Sequence, residues 1–111
     1  MYLVHARLES DEHAELPAET VSLVMRCARP DEHLQHVVMH SNGPAGPVLG
    51  LFLLAPTLKE AEQVTAALCQ RALDRNAELR RFRLTSCGVV VPWSYYERLL
   101  QSASTDRLLD D

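Results

Sequence analysis

The chain is predicted to be a single α+β domain, an antiparallel sheet carrying two helices on one of its faces. Three observations predict it. Residues 48–54, Val-Leu-Gly-Leu-Phe-Leu-Leu, form an apolar run between Pro47 and Pro56, of strand length and apolar on both faces. A capped amphipathic helix follows it directly. The 111 residues, 47% hydrophobic and 23% charged, suffice for one core of two packed layers and not for a second domain. Two long helices cover one face of a sheet. The other face of so apolar a strand is expected to meet a second copy of the chain.

Residues 2–8 alternate, with Tyr2, Val4, Ala6 and Leu8 on one side and Leu3, His5 and Arg7 on the other, which is the period of a strand. The acidic stretch 9–15 reads as a loop. Pro17 suits the first position of a helix, Glu19 complements a helix N-terminus, and Val21, Val24, Met25 and Ala28 recur at helical spacing. The same stretch also alternates as a strand through Val21, Leu23, Met25 and Cys27, and Pro30 ends either element. Residues 34–40 read as a second strand, joined through the turn formers of 41–47 to the strand at 48–54. Thr57-Leu58-Lys59-Glu60 is a capping box, and Ala61, Val64, Leu68 and Ala72 form the buried stripe of its helix. Arg71 and Arg75 suit the C-terminal dipole, and Asn76 is expected to leave the helix in a left-handed conformation. Residues 82–91 are the last strand, with a bulge expected at Gly88 and a stop at Pro92. A short helix is expected over 93–101. Residues 1–101 then make the domain, and 102–111 a loosely ordered tail.

The order strand, helix, strand, strand, helix, strand is that of the ferredoxin-like, or split βαβ, class. Its first and third strands are central, in keeping with the third being the most hydrophobic. Stacking two open sheet faces would give a dimeric α+β barrel.

Composition narrows the function. A formal charge of -4 supplies no drive toward nucleic acid and no attraction to a membrane surface. Phe52 is the one aromatic residue of the third strand, too few for the stacking platform of an RNA-recognition sheet. No window approaches the ~18 apolar residues of a membrane span, and no basic segment precedes an apolar stretch of signal length. Cys27, Cys69 and Cys87 are an odd number of dispersed thiols in apolar segments, which suits a reducing cytoplasm. No phosphate-cradling glycine loop is present, so no nucleotide cofactor has a seat.

Strand parity places His5, Arg7, His36, His40, Val38, Arg83, Thr85 and Cys87 on the face away from the helices. These residues would line an electropositive cleft able to hold a ligand with carboxylate or carbonyl groups, with histidines that titrate near neutral pH. A solvated or interfacial polar face is the competing reading. On a strand His36 and His40 lie about 13 Å apart, too far to share a metal ion, and no carboxylate or cysteine completes a set with His33. His13 is a loop histidine without a role. Cys87 is the best placed of the thiols for a nucleophile, against the plainer reading of an inert buried thiol. Trp93, Tyr95 and Tyr96 either pack a C-terminal helix or form an apolar wall for a bulky ligand. In the second case Glu97, poorly hydrated beside aromatic rings, becomes a proton acceptor and the first catalytic candidate.

The element order, Pro-Val-Leu-Gly-Leu-Phe-Leu-Leu leading into Leu-Lys-Glu-Ala-Glu, and Tyr-Tyr-Glu-Arg-Leu-Leu together resemble a family of small actinobacterial α+β proteins from natural-product clusters. That family includes the terminal amide synthase of nosiheptide-type thiopeptide biosynthesis. The resemblance implies a cofactor-free homodimer acting on a modified peptide with a C-terminal dehydroalanine extension. The enamine tautomerises to an imine, water adds, and cleavage of the Cα–N bond leaves a terminal carboxamide and releases a pyruvate-like fragment. Under it Glu97 is the acid/base; the cleft residues His5, Arg7, His36, His40 and Arg83, with Trp93 and Tyr96, are the expected substrate contacts. The family also uses a lysine contact, and here the chain departs from it. Lys59, its only lysine, belongs to the helix cap, which leaves Arg7 or Arg83 as the cation. Three other functions compete with the amide-forming reading: a cofactor-independent polyketide oxygenase-like barrel, a non-catalytic small-molecule module, and a dimerising interaction module.

Overall fold

A computed structural model describes residues 1–40 and 46–90. The chain runs β1 (Tyr2–Glu9), α1 (Thr20–Cys27), β2 (Leu34–His40), β3 (Val48–Leu53), α2 (Leu58–Arg75) and β4 (Arg83–Val89), with short 3-10 turns at Pro30–Glu32 and Ala77–Leu79. The four strands form one sheet in the order β2-β3-β1-β4, every neighbouring pair antiparallel. It is a small α+β fold compatible with the ferredoxin-like class. No helix among the described residues is long and apolar enough to cross a membrane.

Alternation along the strands creates two unlike sheet faces. Val4, Ala6 and Leu8 of β1, Leu49, Leu51 and Leu53 of β3 and Val37 of β2 are buried with Leu23 and Val24 of α1 and Ala61, Leu68, Cys69, Ala72 and Leu73 of α2 in one core. α2 lies over β1 and β4, and α1 over β2. The two helices therefore share one face, as expected.

The details of both helices differ from the expected ones. Residues 20–27 are helical rather than extended, but the buried side of α1 is Thr20, Leu23 and Val24, with Met25 43% exposed. Apolar residues point several ways on so short a helix, and packing against β2 selects the side. Pro17 starts a preceding turn, its carbonyl accepting from both the backbone N–H (3.1 Å) and the hydroxyl (2.7 Å) of Thr20. α2 begins as expected at Thr57, whose hydroxyl accepts the Glu60 amide at 3.1 Å. It buries Thr65, Cys69 and Leu73 beside Ala61, Leu68 and Ala72. Asn76 does not take the left-handed conformation; it is extended (φ -119°) and caps the helix by donating its amide to the Ala72 carbonyl at 2.8 Å. A left-handed residue does follow the earlier 3-10 turn, at His33 (φ 52°).

One buried ion pair joins segments far apart in the chain. The Arg71 guanidinium donates to both Glu32 oxygens, at 3.0 and 2.8 Å, and to the Cys27 carbonyl at 2.8 Å, while the Arg29 amide donates to Glu32 Oε1 at 2.7 Å. Both side chains are about nine-tenths buried, at 11% and 10% exposure. The end of α1, the 3-10 turn and the C-terminal part of α2 are thereby held together. The Arg71 hydrogen bonds hold the Glu32 carboxyl below its ordinary range, and the pair in turn raises the pKa of Arg71.

Glu32→Ala leaves the Arg71 charge buried and unpaired, and is expected to cost about 3 kcal/mol in urea unfolding. The double variant Glu32→Leu/Arg71→Met should recover most of that loss. Because the unfolded carboxyl binds its proton first, the pair's contribution is complete above pH 4.5 and falls away as the pH drops through the lower folded value. A single variant unfolding like the wild type would remove this pair from the fold's support.

Candidate functional site

The face away from the helices is built by the other strand parity. β1 contributes Leu3, His5, Arg7 and Glu9, β2 contributes His36, Val38 and His40, and β3 contributes Val48, Gly50 and Phe52. They align in cross-strand rows. Leu3, Phe52 and His36 form one row, His5, Gly50 and Val38 the next, and Arg7, Val48 and His40 the third. Register thus brings His5, His36, His40 and Arg7 onto one surface.

β4 departs from the expected parity. Glu9 pairs with Arg83 and Leu8 with Leu84, but Arg7 pairs with Ser86, so Thr85 is the extra residue of a bulge. The Thr85 hydroxyl donates to the Arg7 backbone carbonyl at 3.1 Å. Beyond the bulge the sides exchange: Ser86 and Gly88 lie opposite Arg7 and His5, while Cys87 lies opposite Ala6 and packs against the core. The bulge expected at Gly88 is therefore at Thr85, and Cys87 is not a residue of the open face.

Chemistry at the thiols is disfavoured by their surroundings. Burial pushes the Cys69 thiol up to about 12, with Cys87 adding to the effect. Burial also raises Cys87, and the Glu62 carboxylate beside it raises it further. Glu62 is itself occupied, accepting the Val89 amide at 3.0 Å. A thiol held protonated is a poor nucleophile.

The expected cations divide into two kinds. Arg83 donates to Asp11 at 2.9 Å and to Glu9 at 3.1 Å, so its charge is already balanced and it offers little to a ligand. Nearby, a depression of about 370 Å³ lies between Asp11–Glu12 and residues 80–83, and its charges also pair, Arg81 with Glu12 at 3.6 Å. Arg7 is exposed and has no carboxylate partner among the described residues. It is the available cation of the open face.

His5 lies at the centre of that face. Its ring meets His40 edge-on, with centroids 6.0 Å apart, and His36 lies 6.0 Å from Phe52 across the row. Burial lowers the His5 pKa below 6.5, and the neighbouring His40 and Arg7 lower it further. The imidazole is thus neutral at pH 7 and able to accept a proton. No group of three or more metal-ligating side chains occurs among the described residues. Glu97, Trp93, Tyr95 and Tyr96, together with the tail at 102–111, lie outside the described residues.

Gly50 is the residue of this face that sequence reasoning passed over. A Cβ there would stand 2.9 Å from Val38 Cγ2 and 3.3 Å from Leu3 Cδ1, too close for carbon atoms. Its glycine in the middle of the apolar run is the signal, since a strand interior favours a side chain unless a neighbour needs the space.

Gly50→Ala is expected to destabilise by about 1–3 kcal/mol, because the Val38 methyl is fixed to a branched Cβ and cannot swing away. Gly88→Ala, where a Cβ meets no atom of the described residues within 4 Å, should be neutral or gain about 0.5 kcal/mol. Denaturant midpoints of the two variants check the contrast, and equal losses would contradict it. The lowered His5 pKa has its own consequence. Below pH 6.5 the unfolded chain takes up the proton before folded His5 does, so stability falls with pH until the folded imidazole titrates, and flattens below that. His5→Gln should remove this component from a stability profile between pH 7.5 and 5; an unchanged slope would rule it out.

No protein-family model matches the chain, and no curated protein is found to match it.

Proposed function

We propose that the protein is a homodimer in which two open sheet faces meet as a dimeric α+β barrel of ferredoxin-like topology. In this reading it is a cofactor-independent tailoring enzyme that works on a small or peptide-derived molecule in the chamber between them. The observation that carries the proposal is the makeup of the face. Leu3, Val38, Val48 and Phe52 give it an apolar floor that is only partly buried, and His5, His36, His40 and Arg7 stand among them. An apolar floor with a few polar groups is the usual makeup of a ligand site. It also favours association with a matching surface.

The resemblance to the amide-synthase family supports a particular reaction, formation of a C-terminal amide on a thiopeptide by removal of a dehydroalanine extension. Such a reaction needs a group to move protons and a cation to hold a carboxylate or carbonyl. Glu97 takes the first role in this reading, with Trp93 and Tyr96 as the apolar wall. Arg7 takes the second in place of the family's lysine, since Arg83 is already paired with Glu9 and Asp11. The alternative, a non-catalytic small-molecule module using the same face, is favoured by the inert thiols.

Light scattering on the purified protein should give twice the chain mass, and Val38→Glu, which sets a carboxylate in the apolar floor, should shift it toward monomer. A monomeric wild type would exclude the barrel. Incubation with a dehydroalanine-tailed thiopeptide should release a three-carbon unit, read by mass spectrometry, with Glu97→Gln reducing turnover at least on the order of 100-fold. Thermal stabilisation by the peptide without turnover would select the non-catalytic module.

A further inference from the structure

β1 and β2 are not neighbours: β3 runs between them, which sets their backbones about 10 Å apart. His5 of β1 and His40 of β2 nevertheless meet above β3, with ring centroids 6.0 Å apart and the rings edge-on at 61°. Gly50 makes the meeting possible. It pairs with His5 on one side and with Val38 on the other, and a Cβ there would stand 3.5 Å from His5 Cδ2. The His5 ring therefore leans over Gly50, with the Cδ2 edge that also carries Nε2 turned toward β3. His40 reaches it from the next row, where it pairs with Val48.

Two imidazoles that converge from separate strands can share one ion. A metal–nitrogen bond of about 2.0–2.1 Å sets each ring centroid roughly 3.2 Å from that ion, so two centroids stand about 5.2 Å apart at a tetrahedral angle and about 6.4 Å apart when opposed. The observed 6.0 Å lies within that span. Neither ring pairs with a carboxylate among the described residues, which leaves its nitrogens to a ligand.

We propose that His5 and His40 form a two-histidine site for a divalent first-row transition metal of the nickel, copper and zinc group. The site lies within one chain, so it goes beyond the dimer and enzyme reading above and does not rest on it. The ion takes no part in the amide-forming reaction, which needs none.

The donor type selects this class of ion. Imidazole nitrogen suits nickel, copper and zinc, whereas magnesium and calcium take oxygen ligands. Two protein nitrogens leave the remaining positions of the ion to water or to a donor on a ligand of this face. His36 is not part of the site, since it lies about 13 Å from His40 along β2 and its ring is set against Phe52. Arg7 opposes the ion, because its charge reaches His5. Its side chain is exposed, where water and salt screen the repulsion.

Ni2+ is the probe, because it favours imidazole nitrogen and does not oxidise the thiols of the chain. Titrated into the isotope-labelled full-length protein at neutral pH, paramagnetic Ni2+ should broaden the amide resonances of His5, Gly50 and His40 at lower concentration than those of His13, His33 and His36. Calorimetry should resolve a single tight site per chain. His5→Asn and His40→Asn should each weaken binding at least on the order of 10-fold, and His36→Asn should leave it unchanged. His40 is exposed at the end of β2, so His40→Asn keeps the fold and decides the matter even if His5→Asn unfolds. Cu2+ should displace Ni2+, and Mg2+ should not, even in large excess. Arg7→Gln should tighten Ni2+ binding a few-fold at low salt, as removal of a neighbouring positive charge requires. Broadening centred away from Gly50, affinity retained in His40→Asn, displacement by Mg2+, or weaker binding in Arg7→Gln overturns the proposal.

Discussion

Two helices cover one face of a four-stranded sheet, and each strand turns alternate residues to opposite sides; together these facts govern nearly everything else in the molecule. Val4, Ala6 and Leu8, with Leu49, Leu51 and Leu53 beside them, go to the helices because a run of large apolar side chains is worth about 2 kcal/mol each on burial. Their neighbours in sequence have no choice of side. Leu3, His5 and Arg7, with Val48, Gly50 and Phe52, make the second surface as the necessary complement of the first. The character of that surface, apolar floor and imidazoles, follows from which residues occupy the odd positions of β1 and the even positions of β3.

The bulge at Thr85 decides the remaining edge of this surface. With unbroken alternation from Arg83, Cys87 would stand beside His5 and Gly88 would face the helices. One extra residue reverses both. The thiol enters a core that raises its pKa and stills its chemistry. The glycine emerges on the open face, opposite His5 in the register. A single local irregularity therefore exchanges a candidate nucleophile for a glycine on that face.

Charge is distributed with the same economy. Glu32 and Arg71 are buried and paired, where removing either partner strands a charge away from water. Arg83 is exposed and doubly paired, a contact of small energetic value that nonetheless cancels its field. What remains on the open face is Arg7 with three histidines.

The sequence by itself determined the succession of elements and the central place of the apolar run. Prolines at 17, 30, 47 and 56, the Thr57 cap and the alternation of residues 2–8 are local signals, and local backbone physics reads them without help from the rest of the chain. It also assigned His5, Arg7, His36 and His40 to a shared face, because parity on a regular strand is arithmetic. Tertiary structure decided what parity cannot carry: the bulge that turned Cys87 inward, the side of α1 that left Met25 exposed, and the pairing of Arg83 with Asp11. Glu32 and Arg71, 39 residues apart, show the reason. Such choices depend on which distant segment arrives alongside, and packing energy, summed over the whole core, settles them only when the chain has closed upon itself.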